Sequence, residues 1–348
     1  MDVMQAAVLE SLGNWNYRKM PMPECGDHEV VIQTKRSGIC STDVVRSMKT
    51  GFYRYPIIPG HEFCGVVVHK GKNVSTFDID DHVAVYPLMP CKKCKPCTKG
   101  KQNLCDSYNF LGSRTHGGYA EYVLCPEENL IRIQKGISSE HAAMTEPASV
   151  ALHGIKAAEL DAQCETAVIM GLGPIGLMTV QWAKIFGIKT VIGVDRNEHR
   201  FRIAKEIGTN HVIDTRDSEA SVTINDLTNK DGADIIFECS GSDELQTQSI
   251  LSAAKGGKIV ILGNPAKNLA IDKDAYSRIL RREITITGSW SSMIGQKNEW
   301  EESLRAMKEG KIDPIPVITH SFHLSEAKQV MEDMHFKKFE FSKVHFYF

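Results

Sequence analysis

Cys91, Cys94, Cys97 and Cys105 lie in one lysine-rich segment, PCKKCKPCTKGKQNLC, with the spacing C-x2-C-x2-C-x7-C. Four thiolates so spaced can surround a tetrahedral ion, and a site with no open position is the arrangement of structural zinc. An iron–sulfur cluster and four reduced surface thiols are the alternatives. Lys92, Lys93, Lys95, Lys99 and Lys101 would offset the net negative charge of a divalent ion held by four thiolates. A zinc module that reads DNA would also bring a recognition helix and a basic face, and the sequence offers neither.

A second set is dispersed: Cys40 in SGICSTD, His61 and Glu62 in PGHEFCG, and Glu146 in TEPASVALHG. Singly, each is an ordinary core cysteine or a satisfied polar group. Jointly, glycine-flanked strand ends and a Glu-Pro at a domain junction would converge on an interdomain cleft. One soft, one borderline and one or two hard ligands suit a zinc that keeps an exchangeable position for substrate. With Cys40, Glu62 and Glu146 all anionic, the ion would be a weaker Lewis acid than one bound by neutral histidines. Its hard oxygens would tolerate a fifth ligand and suit chelation of a polyol.

The third element is GLGPIG, comprising Gly171, Leu172, Gly173, Pro174, Ile175 and Gly176, directly after an apolar strand and opening a helix. Nineteen positions past Gly176, Asp195 ends the next strand, TVIGVD, where a carboxylate can hold the adenosine ribose hydroxyls of a dinucleotide. The pyrophosphate would lie on the helix N-terminus. Asp195 repels a 2′-phosphate and so favours NAD over NADP. Arg196 beside it can face either a 2′-phosphate or the adenine plane.

These residues need two kinds of scaffold. Residues 6 to 125 read as short strands punctuated by Gly, Pro and Asp, among them AAVLES, EVVIQTKRSGIC, CGVVVHKG and DHVAVYPL. From Thr166 apolar strands alternate with amphipathic helices, through NEHRFRIAKEIG and ELQTQSILSAAK to KIVILG, which specifies a parallel doubly wound sheet. After ITITGSW come helices at WEESLRAMKEG and SEAKQVMEDM and a last strand, KVHFYF. The chain thus reads as α/β in class, with a zinc-binding β-rich domain over 1–150, a nucleotide-binding domain over 151–290 and a tail, 291–348, that returns to the first domain.

At 348 residues the chain exceeds one ordinary core. A formal charge of −2, from 41 basic and 43 acidic residues, gives no reason to expect a nucleic acid or an anionic membrane as partner. The longest apolar stretch, 167–178, is too short to span a bilayer and is broken by glycines, and the N-terminus shows no export signal. Four of the 10 cysteines cluster at metal-ligand spacing, which points to a reducing, cytoplasmic setting.

At these residues the chain resembles the zinc-containing medium-chain dehydrogenase/reductase family over nearly its full length. Cys40-Ser41-Thr42-Asp43, Gly60-His61-Glu62, the four-cysteine lobe, Gly117 to Tyr122, Glu146-Pro147 and Gly171 to Gly176 occur in the family's order. The resemblance implies a chaperonin-10-like β-barrel, a Rossmann domain, a catalytic and a structural zinc, NAD, and a homodimer or homotetramer. It also implies that Cys40, His61 and Glu146 bind catalytic zinc, with Glu62 binding in one state and withdrawn in another. Thr42 would pass the substrate proton on, and Asp43 would orient His61. Where the alcohol-dehydrogenase branch places a relay histidine, this chain has Val45.

Within the family, Glu146 and the four-cysteine lobe point to the polyol-dehydrogenase branch. YPIIPGHEF, PLMPCKKC, FLGSRTHGGYAEY, EPASVALH and ITGSWSS with a following EWE are similar to its members that oxidise galactitol 1-phosphate to tagatose 6-phosphate. An anionic substrate needs cations near the cleft. Arg54 and Arg114 are candidates, each with a solvated surface arginine as the alternative, and Trp290 is a third candidate contact. A zinc enzyme acting on sorbitol, xylitol, butanediol or threonine would share the same chemistry. A zinc-free reductase or a non-catalytic nucleotide sensor would lack ligands that this chain retains.

Overall fold

The β-branched run in EVVIQTKRSGI favours extended backbone, and Glu29–Ile39 is the central strand of the first of two units in the computed structural model. The structure describes residues 2–265, 267–295 and 298–348. The first unit comprises Met1–Glu146, Met293–Gly310 and Ile318–Phe348, and the second Pro147–Ser292 and Lys311–Val317.

In the first unit the strand order is Ile318–His323, Lys343–Tyr347, Glu29–Ile39, Glu62–Lys70, His82–Val85 and Leu130–Arg132, with Tyr122–Pro126 also paired to Glu29–Ile39. Two registers matter for chemistry. Gly38 pairs with Glu62 across antiparallel strands, so Cys40, just past the end of one strand, stands beside His61, just before the start of the next. Val344 pairs with Ile39, which brings Lys343 to the same edge. Val30, Ile32, Phe63, Val67, Val83, Val85 and Val123 share one core cluster beneath these strand ends. The cysteine segment forms a lobe of its own, with a short helix Lys95–Thr98 and one tight turn Gln102–Leu104.

The second unit holds a six-stranded, wholly parallel sheet in the order His211–Asp214, Thr190–Asp195, Thr166–Met170, Ala233–Glu238, Ala253–Ile261, Thr285–Gly288. In chain order this is 3-2-1-4-5-6, the Rossmann arrangement, whose ligand crevice lies at the carboxyl ends of the first and fourth strands. Ala167, Val168, Ile169 and Met170 are fully buried, as a strand covered on both faces must be. The helix expected through ELQTQSILSAAK stops at Ser252, and Ala253 already belongs to a strand. Parallel pairing of Ala253 with Ala233 overrides the helical preference of the alanines. Residues 311–317 join this unit, where Gln181 donates to the Asp313 carbonyl at 2.9 Å and accepts from its N–H at 2.7 Å. Among the described residues no helix is long and apolar enough to cross a membrane.

Candidate functional site

Cys40 is the residue before the short helix Ser41–Val45 and has extended backbone, so its thiol stands at the helix entrance rather than on its side. Thr42 donates its hydroxyl to Cys40 Sγ at 3.1 Å. On the same helix Asp43 turns inward, is 1% exposed and lies 3.3 Å from His61 Nδ1. Its other oxygen accepts the Tyr119 hydroxyl at 2.8 Å. Gly60 has φ +95°, and a Cβ there would strike the Tyr119 ring, so glycine is required where the chain turns into His61. Asp43, itself bonded to Tyr119, thus faces His61 Nδ1 as a charge partner and leaves Nε2 for a ligand.

The ligand atoms of Cys40, His61 and Glu62 all lie within 4.8 Å of one another. Burial opposes a charged His61, but Asp43 and the Cys40 sulfur outweigh it and hold its pKa well above the ordinary value. The same negative surroundings suit a bound cation, so the donor set fits zinc. Glu146 does not complete this group. Burial lifts its carboxyl to about 7, opposed by His61 and reinforced by Glu62. Glu62, within the group, is also held from the side: Lys343 Nζ meets its two oxygens at 2.8 and 2.6 Å, with both side chains 2% exposed. The sequence reading missed Lys343, because nothing in KVHFYF marks one buried lysine as different from the surface kind.

In the lobe, the Sγ atoms of Cys91, Cys94, Cys97 and Cys105 are likewise within 4.8 Å of one another. Cys94 and Cys105 are 3.8 Å apart. Zinc–sulfur bonds of about 2.3 Å give a tetrahedral edge of about 3.8 Å, so this spacing fits a zinc ion. Backbone N–H groups of Lys93 and Cys94 lower the Cys91 thiol to about 6, whereas burial and the sulfurs of Cys94 and Cys105 push Cys97 up to about 12, so four thiolates together need a cation among them. Of the neighbouring lysines, Lys92 pairs with Glu128.

In the second unit, Gly171 has φ +95°, Gly173 caps the helix Pro174–Ile185, Pro174 occupies its first turn with Ile175, and a Cβ on Gly176 would collide with the Gly171 carbonyl. This leaves N–H groups bare at a helix N-terminus, a ready cradle for pyrophosphate. Asp195, 7% exposed, accepts from the backbone of Leu172 at 2.7 Å, Arg196 at 2.7 Å and Asn197 at 3.1 Å. Arg200 completes the set at 3.3 Å. Four donors fill the sites of one carboxylate, so a ribose diol would displace the longest contact, that of Arg200. The side chain that pairs with Asp195 is thus that of Arg200; Arg196 contributes its backbone. Glu238, fully buried at the end of the fourth strand, accepts from the N–H groups of Ser240 and Gly241 at 2.8 and 3.0 Å and shapes the loop beside Gly171. Only the ECSG spelling at that strand end could have signalled it.

The three candidate substrate residues part company. Arg114 packs between Tyr53 and Tyr108, its Cζ 4.4 and 4.6 Å from the ring centroids. Arg54 is exposed; its one resolved influence, secondary to burial, is on His116, which is pushed down. Trp290 belongs to the second unit and is 53% exposed. Val45 is 46% exposed at the end of its helix.

Residues 26–135 match the model of the alcohol dehydrogenase GroES-like domain, and 174–309 that of the zinc-binding dehydrogenase. L-threonine 3-dehydrogenase of Bacillus subtilis (strain 168) is 33% identical, over 91% of this chain and 90% of its own. The crystal structure of galactitol-1-phosphate dehydrogenase from Escherichia coli superposes with a TM-score of 0.93 at 28% identity, covering 99% of this chain and 100% of that one. A zinc-binding dehydrogenase from Sinorhizobium meliloti 1021, bound to NADP, gives 0.90 at 29% identity, with both chains covered completely.

Proposed function

Because the chain belongs to the zinc-binding dehydrogenase family with an alcohol dehydrogenase GroES-like domain, we propose that it oxidises a secondary hydroxyl of a polyol or polyol phosphate to a ketone with NAD, foremost galactitol 1-phosphate to tagatose 6-phosphate. The observation that carries the reading is the convergence of Cys40, His61 and Glu62, with the Thr42 hydroxyl on the same sulfur. A zinc ion held there would lower the pKa of the substrate hydroxyl, and NAD would accept the hydride.

The chain's own residues do the rest. Asp43, itself bonded to Tyr119, stands beside His61 Nδ1 and favours its positive or metal-bound form. Thr42 is exposed, so a proton received at its hydroxyl passes directly to water, and the absence of a histidine at Val45 interrupts nothing. Lys343 neutralises Glu62 without help from a metal. That leaves room for a second substrate oxygen and favours a vicinal diol. Asp195 supports NAD, because a carboxylate repels a 2′-phosphate. Arg200, released from Asp195, could meet that phosphate and supports the rival choice of NADP.

The test is a panel of galactitol 1-phosphate, galactitol, sorbitol, 2,3-butanediol and L-threonine, each with NAD and with NADP, followed at 340 nm. Preference for a polyol or its phosphate with NAD is the expected result. Preference for threonine would overturn the substrate, and the loss of every rate in unchelated, zinc-replete protein would overturn the enzyme.

A further inference from the structure

Tyr53 lies in the loop after the turn Arg46–Thr50 and is 60% exposed, yet two guanidiniums stand over its ring. Arg46 Cζ and Arg114 Cζ each stand 4.4 Å from its centroid. Arg114 also lies over Tyr108, and Arg46 over Phe52 at 5.1 Å. Hydrogen bonding to Arg46, ahead of the opposing effect of burial, pulls the Tyr53 hydroxyl below its ordinary pKa, with Arg114 adding to it. Two cations thus stand over one phenol ring.

The two arginines differ from those that this chain uses as struts. Arg36 pairs with Glu140, Arg132 with Asp81, and Arg216 with Asp214 and Glu198. Among the described residues neither Arg46 nor Arg114 has an ion-pair partner, and the buried Arg114 Nε has no hydrogen-bond partner at all. Besides its contact with Tyr53, Arg46 makes one long bond, from Nε to the Gly51 carbonyl at 3.4 Å. Two like charges held on one ring, with unused donors and no carboxylate, are unfavourable until an anion joins them. The guanidinium fork is the side chain best shaped for a phosphate oxygen pair.

Both arms are also tied to the candidate metal residues. Arg46 follows Cys40 by six residues, about 9 Å of helical rise. Arg114 donates its N–H to the Phe110 carbonyl at 2.9 Å, and the Phe110 ring meets His61 edge-on at 5.7 Å. A hexitol 1-phosphate oxidised at C5 carries its phosphate four carbons from the reacting centre, a separation of this order.

We propose that Arg46 and Arg114, closed on Tyr53, form the clamp for the phosphomonoester end of the substrate. This rests on the polyol-phosphate reading above, and it puts Arg46 in the place that the sequence had offered to Arg54. Tyr53 spaces the two guanidiniums and, by stacking, limits the rotamers each can adopt.

Calorimetric titration of the zinc- and NAD-loaded protein with inorganic phosphate tests the clamp without turnover, since bound NAD blocks the pyrophosphate cradle. One saturable site is expected, weakened at least tenfold in Arg114→Ala and in Arg46→Ala but hardly in Arg54→Ala. Absence of that site, or equal affinity in all four proteins, overturns the proposal. The ratio of kcat/KM for galactitol 1-phosphate to that for galactitol should fall at least tenfold in the same two variants, mostly through KM. An unchanged ratio overturns it as well. A protein that turns over no polyol at all refutes the proposed function instead, and the phosphate titration then decides the clamp alone. Arg114→Lys keeps the charge but not the fork, and should retain folding while losing most of the phosphate affinity.

Discussion

Replacing His345 by leucine should remove an acid-labile point from the first unit. His345 sits in the strand Lys343–Tyr347, is completely buried, and neither ring nitrogen has a hydrogen-bond partner. Burial, with Lys343 and Arg36 nearby and only Glu140 opposing, lowers its pKa to about 3. An unfolded histidine titrates near 6.5, so between these values the unfolded chain binds the extra proton and stability rises with pH. This is the reverse of a histidine that gains a carboxylate partner. The contribution is negligible at pH 7.5, costs about 0.8 kcal/mol at pH 6 and reaches about 2 kcal/mol at pH 5. For a unit of this size, about 2 kcal/mol corresponds to about 4–8 °C in melting temperature. Leucine has no proton to take up and leaves no orphaned nitrogen, so the variant should match the parent at pH 7.5 or exceed it. Urea unfolding and thermal melts from pH 5 to 7.5 measure the difference, which cancels the carboxylates common to both proteins. Parallel pH profiles, or a folded-state imidazole resonance that titrates near 6.5, would refute the reasoning.

Lys343→Met should destabilise the protein by about 3–5 kcal/mol, because it leaves the Glu62 carboxylate buried without its cation. Adding Glu62→Gln should recover most of that loss in urea unfolding, and a double variant no more stable than the single would contradict the pair. A mild chelator should remove one zinc equivalent together with activity while the fold persists. Cys105→Ser should lower the melting temperature of the whole first unit, since the lobe has little apolar packing of its own; metal analysis showing a single, equally tight zinc would sink the two-site reading. Asp195→Ala should weaken NAD binding and narrow the preference over NADP, measured as the ratio of the two kcat/KM values. Comparable values in the unmodified protein would mean that Arg200 and not Asp195 governs the choice.

The cysteine lobe was legible because its chemistry is local: fifteen consecutive residues bring four thiols within reach whatever the rest of the chain does, and the structure gathers all four. The glycine motif and Asp195 were legible for a similar reason, since one strand–turn–helix unit fixes their separation and the parallel register fixes the neighbouring strand end. The motif order also located Cys40, His61 and Glu62, although Glu146, the fourth candidate, stands outside their group. Tertiary structure alone decided what surrounds them. Lys343 lies 281 positions from Glu62 and reaches it only because the last strand pairs beside Ile39. Arg46, Tyr53 and Arg114 come from two segments whose convergence no spacing predicts; the sequence offered Arg54 and Arg114, and Arg46 emerged only once the rings were in place. Which lysine is buried and which arginine lacks a carboxylate are properties of pairing between distant strands and loops. A sequence sets which groups are available, whereas burial and partners depend on which backbones lie side by side.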